Sequence, residues 1–155
     1  MVKKITKKER VAIYCRVSTE KQDLQTQLST LRDYCNRFGY EIVKEYQDVM
    51  SGKTDKRPGF DRMLVDMRQG KFKTILVYKL DRIGRSLQHL LNLFEEFWNN
   101  KIEFISITQS FNTITPEGKL MLRMLMILSE FEREMIVSRT QDRIDYFKKQ
   151  IKKSQ

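Results

Sequence analysis

The stretch Thr74-Ile-Leu-Val-Tyr-Lys-Leu80, followed at once by Asp81-Arg-Ile-Gly-Arg85, decides the reading of the fold. The first seven residues are nearly continuously apolar and include β-branched and aromatic types. A run of that length suits a strand covered on both faces, as in a parallel sheet with helices above and below. In such sheets ligands bind beyond the carboxyl ends of the strands, which is where Asp81–Arg85 falls.

The flanking sequence agrees with that reading. Residues 10–17, rich in Val, Ile and Tyr, form a first strand. From Asp23 a helix follows, with Leu24, Leu28, Leu31, Cys35 and Phe38 on one stripe and Gly39 just past its end. Residues 41–47 form a second strand, with Ile42 and Tyr46 on one face and Val43 on the other. Residues 48–59 are a polar loop. The next helix spans 60–69 on Phe60, Met63, Leu64 and Met67, and Gly70 ends it. After the central strand, Ser86 caps a helix at 87–99. Its inward face is read as Leu87, Leu90, Leu91, Phe94 and either Phe97 or Trp98. Residues 102–108 are a fourth strand. This β-α-β-α-β-α-β order predicts an α/β fold, a parallel-rich central sheet of about four to five strands with flanking helices.

A long C-terminal helix completes the chain. Thr115 caps it, Pro116 suits its first position, and neither proline nor glycine interrupts residues 119–155. Helical to residue 148, it would be about 50 Å long at 1.5 Å per residue, more than a domain of this size covers. Its first half, Leu120 to Phe131, is apolar almost all round. Such a helix is buried on every side. Either one domain encloses it, or its own domain covers one side and a second subunit the other. The second reading is the one expected here.

Composition narrows the function. The chain has 155 residues, 40% hydrophobic and 32% charged, enough for one domain with a core. No apolar run approaches the roughly 20 residues of a membrane span, and the first ten residues lack a signal-peptide core. No membrane partner and a cytoplasmic location are therefore expected. Two cysteines and one histidine make neither a disulfide framework nor a zinc cluster. Cys15 and Cys35 read as small buried residues. Of the net charge of +10, residues 1–10 and 143–155 carry +4 each. Basic ends of this kind attract polyanions such as nucleic acid, although they also occur as solvated tails.

The candidate chemistry sits at the strand ends. Ser18 closes Ile13-Tyr-Cys-Arg-Val-Ser18, where it either ends a strand or stands as a nucleophile on a rigid support. Arg16, Arg57, Arg82 and Arg85 lie in or beside the same loops, and Arg133 lies in the long helix. Arginine meets phosphate oxygens with a planar donor fork, so a cluster of them suits a phosphoryl transition state without a metal. Gly52-Lys53-Thr54 mimics the end of a phosphate-binding loop, but Gln47 stands where that motif needs glycine. A serine triad needs a histidine base, and His89 is the only histidine, set within a helix; no Gly-x-Ser-x-Gly elbow is present. Two further readings stay open. One is a non-catalytic α/β dimerisation or regulatory module. The other is a metal-dependent nuclease, which would need clustered carboxylates.

Several blocks in one order carry a resemblance. They are Tyr14-Cys-Arg-Val-Ser-Thr19, Gln22 with Gln27, Asp48 with Ser51-Gly52, Arg57-Pro58, Tyr78-Lys-Leu-Asp-Arg-Ile-Gly-Arg-Ser86 and Phe131-Glu-Arg-Glu134. Over about residues 10–147 the chain resembles the catalytic domain of the serine recombinases, the resolvase/invertase and large serine integrase family. The resemblance implies that Ser18 attacks a DNA phosphate, forms a 5′-phosphoserine link and releases a 3′ hydroxyl, with no cofactor, no ATP and no metal. It implies that Arg16, Arg57, Arg82, Arg85 and Arg133 bind and activate that phosphate. Asp81 would orient arginines or take part in proton transfer. Gln22, Gln27 and Asp48 would support the site, and Glu132 matches an acidic position tied to dimer–tetramer control. A homodimer at rest and a homotetramer in the synaptic complex are implied, with strand exchange by rotation. Residues 1–115 would be the catalytic α/β domain and residues 116–150 its long interface helix. The family carries a DNA-binding module after that helix, and that module is expected to be absent from this chain.

Overall fold

The computed structural model describes residues 7–17, 21–50, 56–84, 86–109 and 111–154, without the side chains of residues 21, 22 and 81. Among the described residues, five strands and four α-helices follow in the order β1 (Arg10–Val17), α1 (Lys21–Phe38), β2 (Glu41–Val49), α2 (Pro58–Arg68), β3 (Thr74–Val77), α3 (Leu87–Asn99), β4 (Glu103–Ser106), β5 (Phe111–Asn112) and α4 (Pro116–Lys153). The sheet order is β2-β1-β3-β4-β5. The first four strands are parallel, and β5 returns antiparallel to β4. The fold is the expected α/β sheet with a long C-terminal helix.

Alternation along the inner strands divides the core in two. Val11, Ile13, Cys15 and Val17 of β1 pack with Leu76 and Ile105 against Leu24, Leu28, Leu31 and Cys35 of α1. Ala12 and Tyr14 face the other side, with Ile75, Val77 and Phe104, where Phe60, Met63 and Met67 of α2 and Phe94 and Phe97 of α3 cover them. Both cysteines are buried, as read from the sequence. Gly39 and Gly70 follow their helices with φ of +73° and +72°, the left-handed geometry that favours glycine.

Several boundaries differ from the sequence reading, each for a local reason. Lys21 already lies within α1, ahead of Asp23. The second strand runs on to Val49 because Arg16 and Val17 of β1 still pair with Asp48 and Val49. The polar loop therefore begins later, and its residues 51–55 lie outside the described residues. Pro58 starts α2, two residues before the expected start. The strand expected at 74–80 stops at Val77. Leu80–Arg82 instead form a single 3₁₀ turn, in which the Arg82 amide donates to the Lys79 carbonyl at 3.1 Å. The side chain of Gln109 takes the Leu80 amide at 2.9 Å and so diverts it from any strand ladder. The fourth strand is shortened to Glu103–Ser106, and the two-residue β5 follows it. On α3, Phe97 fills the core and Trp98 turns outward toward Arg123. Leu87 is exposed at the first turn, and Leu93 is buried in addition to the expected residues.

The long helix is capped as expected: Thr115 accepts from the Gly118 amide at 3.1 Å. Its 38 residues span about 57 Å. Gly118 abuts β5 so closely that a Cβ there would lie 1.6 Å from the Asn112 carbonyl oxygen. Leu122 and Ser129 are buried, and Leu125 and Met126 pack on the core. Met124 and Phe131 are 61% and 56% exposed, and Leu120, Met121, Ile127 and Leu128 are exposed with them. The domain thus encloses one side of the helix only. Met121, Met124, Leu125, Ile127, Leu128 and Phe131 line an apolar groove of about 570 Å³ on the other side. No helix among the described residues is long and apolar enough to cross a membrane.

Candidate active site

The carboxyl ends of β1, β2 and β3 meet the amino end of α2 and the 3₁₀ turn. Asp48, at the end of β2, ties these parts together. Its buried carboxylate accepts the Tyr14 hydroxyl at 2.9 Å, the Gly59 amide at 2.8 Å and the Phe60 amide at 2.8 Å. The last two are first-turn amides of α2, which lack partners inside the helix and favour a negative charge. Gly59 has to be glycine here, since a Cβ would stand 2.3 Å from the Gln47 carbonyl oxygen. Burial, and then the charge of Asp48, push the Tyr14 hydroxyl above its ordinary pKa, so it stays a donor.

This arrangement fixes Arg57, the residue immediately before α2. Arg57 is only 2% exposed. Its guanidinium lies 4.2 Å from the Phe60 ring centroid and donates to the Ile83 carbonyl at 2.8 Å and to the Arg82 carbonyl at 3.5 Å. A stacked, forked cation therefore joins the amino end of α2 to the turn after β3. Arg82 is half-buried in that turn. Burial pushes the Cys15 thiol up to about 12, and the charge of Arg82 is near enough to oppose the rise. Arg16 is half-buried on β1 and stands in register with Asp48. The Val17 carbonyl accepts the Met50 amide at 2.8 Å, so the backbone just before Ser18 is pinned to the end of β2.

Three residues read from the sequence are thus gathered at one end of the sheet: Arg16, Arg57 and Arg82, with Asp48 supporting them. Ser18 and Arg85 lie outside the described residues, as do the side chains of Asp81 and Gln22. Gln27 is buried on α1 and donates to Asp23 at 3.2 Å; its side-chain oxygen has no partner among the described residues. Arg133 is held elsewhere. It is exposed on α4 and forms a two-pronged ion pair with Glu95 of α3, one arm at 3.1 Å. Glu132 is half-buried beside it. His89 sits on α3 with its ring 6.4 Å from the Phe60 ring centroid. Among the described residues no three His, Cys, Asp or Glu side chains cluster as metal ligands.

Two parts of this site, the Tyr14 hydroxyl and the Phe60 ring, had no assigned role in the sequence reading, and neither had Glu95, the partner of Arg133. Tyr14 and Phe60 looked like core residues, which they also are. Nothing in the sequence pairs Glu95 with a residue 38 positions away.

The chain matches the family model described as "Resolvase, N terminal domain" over residues 11–153. It is 39% identical over 132 residues to a DNA-invertase of Enterobacteria phage P7, covering 85% of this chain and 67% of the relative. It is 37% identical over 127 residues to the transposon Tn917 resolvase of Enterococcus faecalis, covering 82% and 65%. Among solved structures, the N-terminal catalytic domain of TP901-1 integrase superposes with a TM-score of 0.69 at 38% identity, covering 82% of this chain and 98% of that one. The chain spans about two thirds of the length of the curated relatives it matches. With the family model covering nearly all of it and relatives more than a third identical, the chain belongs to the serine recombinases, as a resolvase-type N-terminal catalytic domain.

Proposed function

We propose that this chain catalyses DNA cleavage and rejoining in site-specific recombination, with Ser18 as nucleophile. The Ser18 oxygen attacks phosphorus while the bond from phosphorus to the 3′ oxygen breaks. The serine proton is lost and the 3′ oxygen gains one. The phosphodiester is exchanged for a phosphoserine ester of similar energy, so the reverse step reseals a strand without ATP. Arg16, Arg57, Arg82, Arg85 and Arg133 are assigned to the phosphate oxygens, where a charge that develops in the transition state is stabilised by preplaced donors. Asp81 orients these arginines or moves a proton, and Gln22, Gln27 and Glu132 support the site.

The observation that carries this reading is the clamp built from Tyr14, Asp48 and Arg57. It anchors three arginine-bearing elements at the strand end from which Ser18 follows. The same geometry supports a resting state. Arg57 is turned onto backbone carbonyls and Arg133 onto Glu95, so loading a phosphate requires these contacts to be exchanged. The apolar groove on α4 supports a homodimer at rest and a homotetramer in the synaptic complex, since an uncovered face of this kind marks a protein interface. Residues 1–115 then act as the catalytic domain and residues 116–150 as the interface helix, and a DNA-binding module beyond these residues chooses the site.

The test is a covalent-adduct assay with EDTA present, using the chain fused after α4 to a DNA-binding module of known target and DNA carrying paired targets. Protein joined to a 5′ end, absent with Ser18→Ala, is the expected result. An adduct that persists in Ser18→Ala would overturn the assignment.

A further inference from the structure

We propose that the opposite end of the sheet carries a second nucleic-acid contact, made by Lys7, Lys8, Arg10 and Lys73 to a phosphate backbone. The inference rests on the DNA reading above and extends it to a surface that reading does not use. Lys7, Lys8, Glu9, Arg10, Gly70, Lys71, Phe72 and Lys73 line an open groove of about 560 Å³ at the amino ends of β1 and β3. All five cations are exposed. The two strands bring them together: the Lys73 amide donates to the Arg10 carbonyl at 3.4 Å, just before Val11 and Thr74 pair.

Acids lie nearby, Glu41 beside Arg10 in register among them, but among the described residues they do not pair with Lys7, Lys8, Arg10 or Lys73. Lys71 is paired with Asp66 at 2.7 Å. Glu9 accepts the Thr74 hydroxyl at 3.0 Å and lies against Glu103, so its carboxylate is turned toward the sheet. Lys7, Lys8, Arg10 and Lys73 have no carboxylate within ion-pair distance among the described residues. Four such cations in one groove repel one another, and a polyanion relieves that repulsion by releasing its own counterions.

The shape and charge favour a nucleic acid over the other anions. A site for one small anion would enclose it with a buried charged group, whereas every cation here is at the surface. A twofold contact of this groove with its own copy would set the same exposed cations against one another. A phosphate backbone running along an open basic groove fits both facts. The groove is also distant from the proposed chemistry: the eight residues of β1 put about 23 Å between Arg10 and Val17. The contact therefore engages a different segment of duplex from the one being cut.

The experiment measures binding of the 155-residue chain to a fluorescent duplex across salt concentrations, in a Ser18→Ala background so that no cleavage intervenes. The comparison is with the same chain carrying Lys7→Gln, Lys8→Gln, Arg10→Gln and Lys73→Gln, its fold checked by circular dichroism. Four lost phosphate contacts should flatten the slope of log K against log salt by about 3.6. A triple variant that keeps Arg10, and so leaves β1 untouched, should flatten it by about 2.7. A parent that binds with a slope unchanged in both variants overturns this inference alone. A parent that shows no salt-dependent duplex binding also overturns this inference, and the adduct assay on the fused chain then decides the DNA reading separately. Displacement of the duplex by low millimolar inorganic phosphate would reassign the groove to a small anion, and tighter binding to phosphatidylserine vesicles than to duplex would reassign it to lipid.

Discussion

Asp48→Asn is the most informative perturbation of the site, because one buried carboxylate holds three donors. An amide in its place offers a single oxygen, which can accept two of them, and turns an NH₂ group toward the third. The donor left without a partner costs about 1–3 kcal/mol. The remaining bonds lose their charge assistance, worth about 1 kcal/mol more. The chain should therefore lose about 2–4 kcal/mol, a drop in Tm of about 5–15 °C for a protein of this size. Tyr14→Phe removes one donor and leaves the carboxylate two amides, so it should cost only about 1 kcal/mol. The two changes share one hydrogen bond, and the double variant should be less destabilised than their sum by about 1 kcal/mol. Urea unfolding followed by circular dichroism, at one fixed protein concentration, reads all three. An Asp48→Asn chain within about 0.5 kcal/mol of the parent, or strict additivity with Tyr14→Phe, would refute the clamp.

Further predictions follow from other contacts. Glu95→Gln weakens the tie between α3 and Arg133; the pair is exposed, so stability should barely change while adduct formation in the fused chain rises, and an unchanged or lower yield would show that Glu95 does not withhold Arg133. Leu128→Asp places a charge in the α4 groove and should shift sedimentation at micromolar concentration from dimer to monomer without altering the circular dichroism spectrum. Burial raises the Cys15 and Cys35 thiols from 9.0 to about 12 and about 11. The folded chain thus holds those protons more tightly than the unfolded one, and this contribution is complete below pH 9 and lost as pH rises toward 12. The urea midpoint should fall between pH 8.5 and pH 10.5, and both thiols should resist iodoacetamide at pH 8 until the chain is unfolded.

Elements set by neighbouring residues were legible in the sequence. The stripe of α1 up to Cys35 (Phe38, expected on it, is exposed at the helix end), the stripe of α2, the glycines at 39 and 70 and the caps at Ser86 and Thr115 are signals contained within a few positions. The ends of β2 and β3 were not, because they are decided across the chain. Arg16 and Val17 prolong β2 by pairing with it, and Gln109 closes β3 by taking the Leu80 amide from 29 positions away. Two residues of β5 are too few to show a period. The same divide runs through the site. Arginines at strand ends stood out by type and place, and Asp48 by its motif. That Tyr14 and the α2 amides converge on Asp48, that Arg57 faces Ile83 and that Arg133 faces Glu95 depend on tertiary packing. The apolar first half of α4 correctly signalled a helix its own domain encloses on one side only.

Mapping the covalent bond tests the central claim most directly. The adduct would be trapped with DNA, the DNA trimmed by nuclease and the protein cut with trypsin. Cleavage after Arg16 and Lys21 isolates Val17-Ser-Thr-Glu-Lys21, in which Ser18 and Thr19 are the only hydroxyl residues. Fragmentation that places the nucleotide phosphate on Ser18 is the predicted result. A phosphate on Thr19, or on any other peptide, would contradict the account.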